Sequence, residues 1–310
     1  MAQKEGNKME QRDKWLVTGA SVRGANHKRN NLPNQDAIKW QEKNGNLVLA
    51  ISDGHGSSKH FRSDVGANLA VEAAVEIMLE EIEVDDLTDN MLSQVKARVK
   101  NKLPQRVINC WQDKVKKHYQ ENLFSLDREA QARLEKIAAE KGSNNRKKIE
   151  NNYIKAYGAT LLVVLITKRF SLYFKLGDGD IVIFSKQGKQ RLFTTCEKLG
   201  PATDSLCMSS ASNKTKISVI PFSEQVPLCI LLSTDGYINS FRDDSDYLKV
   251  VDDIVELIAQ QGLEYINDNL EQWLKQTSEQ GSGDDITLGL VYNEPFLLQF
   301  REAITKDRRD

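Results

Sequence analysis

Five short segments place an aspartate beside a glycine or a polar turn, most of them where an apolar run ends. They are Asn34-Gln35-Asp36-Ala37, Ser52-Asp53-Gly54-His55-Gly56, Gly177-Asp178-Gly179-Asp180, Ser233-Thr234-Asp235-Gly236 and Gly283-Asp284-Asp285-Ile286-Thr287. Singly, each is ordinary turn chemistry: Asp-Gly is a common turn dipeptide, and Gly-Asp-Gly-Asp alone makes a good hairpin. As a set they imply more. Strand ends that converge on one edge of a core would bring several carboxylates together, and crowded carboxylates resist ionisation unless cations neutralise them. Oxygen ligands of this kind suit Mg²⁺ or Mn²⁺, which keep much of their shell as water. Two such ions roughly 3.5–4 Å apart clamp a phosphoryl group and lower the pKa of the water between them. A glycine after the aspartate lets the backbone carbonyl approach a metal as well.

The elements that would position these residues follow from the hydrophobic pattern. A polar start over residues 1–14 reads as a flexible tail, followed by a strand over 15–20. Residues 47–52 are apolar and end at Asp-Gly, which predicts a buried strand running into a tight turn. A helix is expected from Ser63, with Val71, Val75, Met78, Leu79 and Ile82 on one face. From 80 to 155 the chain is charged and helical in character, with opposite charges three or four residues apart; it reads as an extended helical insertion, with an exposed connection over 142–148. The β-prone runs ATLLVVLI, FSLYFKL and IVIFS predict an antiparallel meander. Further strands are expected over 217–220, 228–233 and 286–291. Between the last two lie two helices separated by Gly262, the second carrying Ile266, Leu270, Trp273 and Leu274 on one face. Strands in meanders with helices interposed in pairs predict an α+β layered domain over 15–293, leaving a polar extension over 294–310.

Composition narrows the function classes. With 310 residues, 40% of them hydrophobic, the chain can bury a substantial core. Its 43 basic and 44 acidic residues nearly cancel, which argues against a dedicated nucleic-acid binder. Cys110, Cys196, Cys207 and Cys229 form no CxxC pair and read as reduced thiols, not as a disulfide framework or zinc site. The longest apolar run, 161–166, is far too short to span a bilayer, and the first residues do not make a secretory signal. A cytoplasmic protein without membrane association is expected.

The order NQDA, SDGHG, GAT (Gly158, Ala159, Thr160), GDGD, STDG and GDDIT resembles the motif series of the type 2C, or PPM, metal-dependent protein serine/threonine phosphatases, in their bacterial form. The resemblance runs from about Ser21 to Tyr292, with the motifs in the family's order. It implies a four-layer α-β-β-α sandwich of two stacked antiparallel sheets, with the site at one end. It implies two divalent ions, Mn²⁺ or Mg²⁺, and a third more weakly held. Asp53 resembles the aspartate bridging the two central metals, and Gly54 the residue offering its carbonyl. Asp235 and Asp284 resemble further ligands of one metal, and Asp36 the residue holding the other through its waters. Asp178 matches the aspartate of the third metal. His55 resembles the histidine that protonates the leaving oxygen. For the arginine that grips the phosphate, Arg29 is the candidate and Arg23 the alternative. The implied reaction is direct attack of metal-activated water on phosphoserine or phosphothreonine in a protein, opposing a kinase, without a cysteine nucleophile.

Several positions depart from the family pattern. Gln35 stands where many relatives carry glutamate, Asp180 where many carry arginine, and Asp285 where asparagine is common. His27 reads as a structural or solvated loop residue with phosphate binding as the sharper alternative, and His60 and His118 read as surface residues. The segment 196–212 reads as a flap near the site. Two other functions share these features: a metal phosphohydrolase of nucleotides or small phosphoesters, and a non-catalytic scaffold that binds a phosphoprotein. The scaffold would be marked by loss of a metal aspartate, and every one is present.

Overall fold

The long apolar runs are explained by strands that alternate between two hydrophobic cores, not between core and solvent. The computed structural model describes residues 14–81, 89–193 and 203–295. The expected tail over 1–14, the extension over 294–310 and the flap over 196–212 therefore lie wholly or partly outside the described residues. In chain order the strands are β1 (Trp15–Val22), β2 (Asp36–Lys43), β3 (Asn46–Asp53), β4 (Leu161–Ile166), β5 (Phe170–Leu176), β6 (Asp180–Ser185), β7 (Gly188–Leu192), β8 (Lys216–Pro221), β9 (Pro227–Ser233) and β10 (Ile286–Asn293). The helices are α1 (Ala25–Arg29), α2 (Ser63–Glu81), α3 (Asp89–Glu121), α4 (Arg128–Lys141), α5 (Ser143–Glu150), α6 (Ala211–Lys214), α7 (Asp235–Ile238), α8 (Asp244–Gln261) and α9 (Leu263–Gln280).

One antiparallel sheet has the order β2-β3-β4-β5-β8, the other β1-β10-β9-β6-β7. Leu49 and Ile51 of β3, Leu162 and Val164 of β4, and Ile230 and Leu232 of β9 fill the space between the sheets. The intervening side chains, among them Val48, Ala50 and Val163, pack outward under α2 and α3. Leu231, Leu288 and Leu290 do the same under α8 and α9 on the opposite side. An antiparallel sheet with both faces covered has no polar face to display, so period-two alternation vanishes from its sequence. The chain is thus an α+β sandwich of four layers, as expected.

Two expectations change. The FSLYFKL and IVIFS runs do not join in one meander: β5 pairs with β4 and β8, whereas β6 pairs with β9 and β7 in the other sheet. The Gly-Asp-Gly turn between them crosses from sheet to sheet. Gly177 makes that crossing at φ 113°, a backbone conformation that a Cβ disfavours. Residues 143–148, expected to lie in an exposed connection over 142–148, are helical within α5. Gly142 at φ 85° ends α4, and the chain restarts as a helix anchored by buried Ile149 and by Arg146, which donates to Gln131 Oε1 of α4 at 3.3 Å.

Within the charged stretch between Glu80 and Tyr153, the described helices α3 and α4 pack against the body of the molecule. Val107, Trp111 and Val115 of α3, and Leu134 and Ile137 of α4, are buried with α2 in one core. Arg62 fastens α4 to the base of α2. Its guanidinium donates to Asn122 O at 2.7 Å, to Tyr157 Oη at 2.7 Å and to Asp127 Oδ2 at 2.6 Å, while Asp127 caps α4 by accepting from Glu129 N and Ala130 N.

Candidate active site

The ends of β2, β3, β9 and β10 and the β5–β6 crossing open on one edge of the sandwich, where a cleft of about 860 Å³ collects the aspartate segments. Asp53 ends β3, Asp178 lies in the crossing and Asp235 starts α7 directly after β9. A carboxylate oxygen from each lies within 4.8 Å of the others, so three distant segments meet at one point. Asp284, before β10, lines the same cleft outside this group of three. Asp36 is buried behind it at 5% exposure and faces Asp53 across the β2–β3 ladder.

Backbone pairing accounts for the third motif in the series, Gly158-Ala159-Thr160. Gly54 and Ala159 form an isolated bridge; Thr160 N donates to Asp53 O at 2.8 Å, and Asp53 N donates to Thr160 Oγ1 at 3.0 Å. His55 N donates to Gly158 O at 3.1 Å, which fixes the residue after the Asp53-Gly54 turn. Gly54 is held so tightly that a Cβ there would lie 2.6 Å from both Gln35 O and Ser63 O.

Burial and mutual repulsion raise the carboxyl groups gathered here. Burial, then the charge of Asp285, pushes the Asp36 carboxyl up to about 8. Burial raises Asp53, with the charges of Asp36 and Asp235 adding to the effect. Asp235 is raised by burial and by Asp178, and Asp284 by burial. Gln35 adds a neutral oxygen: its Oε1 is buried with no hydrogen-bond partner, and its side chain lines the cleft at 8% residue exposure. A set of converging carboxylates with raised pKa, plus an orphaned amide oxygen, is what a hard divalent cation fits.

His55 lines the cleft beside these groups, and burial lowers its pKa. Arg29 is not brought to them. It is exposed, its guanidinium bonds Asn26 Oδ1, and it does not line the cleft. Arg23 donates to His27 O at 3.1 Å and also stands outside the lining. His27 does line it: Nδ1 is 2.7 Å from Asp285 Oδ2, and Nε2 is 3.7 Å from Asp284 Oδ1. His60, expected at the surface, is buried at 6% exposure; its ring lies 4.9 Å from that of His55 and its Nδ1 bonds Lys155 O. The reason is the 3-10 turn Ser58–His60, which folds the ring inward against the turn Tyr153–Tyr157. His118 is half-buried, with Nδ1 3.0 Å from Tyr157 Oη.

Three residues whose roles were open or unrecognised in the sequence acquire them here. Asp285 is buried and accepts from Gly24 N and Gln35 N, both at 2.6 Å, as well as facing His27; it ties the N-terminal loop to the Asp284 turn. Thr234 Oγ1 donates to Asp36 Oδ2 at 2.8 Å and accepts from Thr287 N at 2.9 Å. Its position just before Asp235 was the available signal. Asp180 is spent in a buried ion cluster, with Lys175 Nζ at 3.5 Å and Arg191 against its other oxygen.

The family model described as Protein phosphatase 2C matches residues 23–275. Solved structures similar to this chain include the serine/threonine phosphatase of S. agalactiae, at 17% identity and TM-score 0.51, covering 90% of this chain and 100% of that one. Another is the serine/threonine phosphatase of Staphylococcus aureus, at 15% identity and TM-score 0.51, covering 93% and 98%. A bacterial serine phosphatase matches at 13% identity and TM-score 0.52, covering 90% and 98%. At these identities the structures establish the shared fold. No curated protein sequence matches the chain. The family model covers most of the chain and contains all but one of the candidate aspartates, Asp284 lying just beyond it; the chain belongs to the protein phosphatase 2C family of protein serine/threonine phosphatases.

Proposed function

We propose that this chain hydrolyses phosphoserine and phosphothreonine in proteins, at a centre of two Mn²⁺ or Mg²⁺ ions, with a third more weakly held. The observation that carries the proposal is the convergence of Asp53, Asp178 and Asp235 within 4.8 Å in an open cleft. Asp53, Asp235 and Asp284 with the Gly54 carbonyl would hold the central ions, Asp36 would act from behind through water, and Asp178 would serve the third. Bound there, the ions would neutralise the carboxylates, bind phosphoryl oxygens and supply an activated water for in-line attack on phosphorus. His55, set beside the cluster by its bond to Gly158, would give a proton to the departing serine or threonine oxygen.

The protein substrate is favoured over a nucleotide by the walls of the cleft. Among its described lining residues there is no Phe, Tyr or Trp on which a base could stack, whereas serine hydroxyls and lysines are present. Such an enzyme would oppose a serine/threonine kinase. The free thiols of Cys110, Cys207 and Cys229 fit a reducing, cytoplasmic setting, and among the described residues no helix is long and apolar enough to cross a membrane. Phosphate release from a phosphothreonine peptide, measured with Mn²⁺, with Mg²⁺ and with chelator, tests the proposal. Turnover that needs a divalent ion is expected; turnover indifferent to chelator would refute it.

A further inference from the structure

The cleft that gathers the aspartates has an oppositely charged end. Two short 3-10 turns, Ser58–His60 and Tyr153–Tyr157, lie side by side there. They are joined by the bond from the His60 ring to Lys155 O and by Arg62 N donating to Ala156 O at 2.9 Å. Each turn contributes one lysine to the cleft wall, Lys59 from the first and Lys155 from the second, with Asn152, Ser209 and Ser210 nearby. Among the described residues neither lysine has a carboxylate partner, although many other lysines do: Lys114 is 2.7 Å from Glu76, and Lys189 is 2.6 Å from Asp252. In a chain whose charges nearly cancel, two lysines from separate turns, neither paired among the described residues, line the cleft beside the site.

We propose that Lys59 and Lys155 form a subsite for acidic side chains flanking the phosphorylated residue, so that the enzyme prefers phosphopeptides with aspartate or glutamate neighbours. The inference rests on the phosphatase reading and deepens it by naming the substrate class. With the phosphoryl group at the aspartate end, an extended peptide advances about 3.3–3.6 Å per residue, and its neighbouring side chains reach the lysine end. The charges there complement carboxylates and repel arginine. Lys59 is exposed and Lys155 half-buried, so the attraction is screened by salt beyond about 8 Å at physiological ionic strength and acts on near neighbours alone.

The test compares kcat/KM, with Mn²⁺ supplied, for three phosphothreonine peptides whose flanking positions on both sides are alanine, aspartate or arginine. The aspartate peptide is expected to exceed the alanine peptide by about 3- to 10-fold, and the arginine peptide to fall below it, with the preference shrinking at high salt. The double charge reversal Lys59→Glu, Lys155→Glu should invert the order and favour arginine flanks. A gain of that kind cannot come from misfolding. Equal kcat/KM for the three peptides, or a preference that survives the reversal, overturns the inference and leaves the phosphatase reading standing. Failure of the wild type to hydrolyse any of the three would overturn both.

Discussion

Asp36 and Asp53 sit directly opposite one another on β2 and β3, at the last rung of that ladder. Like charges in facing positions are unfavourable, and burial makes this pair more so. The arrangement is set by the strand register, so the repulsion is built into the sheet. Thr234 offsets part of it by donating to Asp36. A divalent cation would offset the rest.

The metal-free protein is expected to lose stability as pH rises. Burial and the Asp285 charge push Asp36 up to about 8 in the folded chain, whereas an unfolded aspartate titrates near about 3.9. Between these values the folded state binds more protons than the unfolded one, so stability falls with increasing pH across that window. Urea midpoints in chelator should drop from about pH 5 to about pH 8, and excess Mn²⁺ should restore them most at the upper end. Midpoints that climb with pH in chelator would contradict this electrostatic account.

Thr234→Val keeps the shape of the side chain and removes the donor to Asp36. Outer partners of metal ligands are worth about 10–100-fold in metal affinity or activity. Titrating activity with Mn²⁺ should give a half-saturating concentration raised by about that factor. An unchanged titration would show that Asp36 does not need the hydroxyl.

Asp285→Asn leaves one of the two short backbone bonds, from Gly24 N or Gln35 N, without its acceptor. The loss is expected to cost about 1–3 kcal/mol in denaturant unfolding and to lower kcat/KM, because Gln35 and Asp36 follow directly on the released loop. A variant as stable as wild type would mean the loop is held by other contacts.

Asp180→Asn separates structure from catalysis. It should destabilise the fold by about 3 kcal/mol, the low end for a broken buried ion pair, because Arg191 keeps Asp244 at 2.8 Å. The metal dependence of turnover should be unaltered, since the Asp180 carboxylate is engaged by Lys175 and Arg191. A changed metal requirement would place Asp180 at the site after all.

Much of this architecture is legible in the residues, and the places where it is not have physical causes. Covered strands such as β3, β4 and β9 announce themselves as apolar runs. The Asp-Gly endings of β3 and β9 mark where the site must be. In the folded chain both sides of β5 are taken, by β4 and β8, and β6 pairs with β9 and β7; a Gly-Asp-Gly turn reads the same whether it closes a hairpin or crosses between layers. His60 reads as polar because local composition is polar; its burial follows from contact with a turn more than ninety residues away. Asp285 and Thr234 are likewise defined by partners distant in the chain, Gly24 and Asp36. Arg29 shows the converse limit: proximity to the Asp36 motif in sequence did not carry its side chain into the cleft, because α1 directs it to Asn26 and solvent.

The most direct test of the central claim is hydrolysis of a phosphothreonine peptide by wild type and by Asp53→Asn across a Mn²⁺ titration. Asp53 is the carboxylate at which the group of three and the facing Asp36 meet. The account predicts that the variant remains folded and loses turnover by about a thousandfold or more at every Mn²⁺ concentration. Turnover within a few-fold of wild type would contradict it and place the catalytic centre elsewhere.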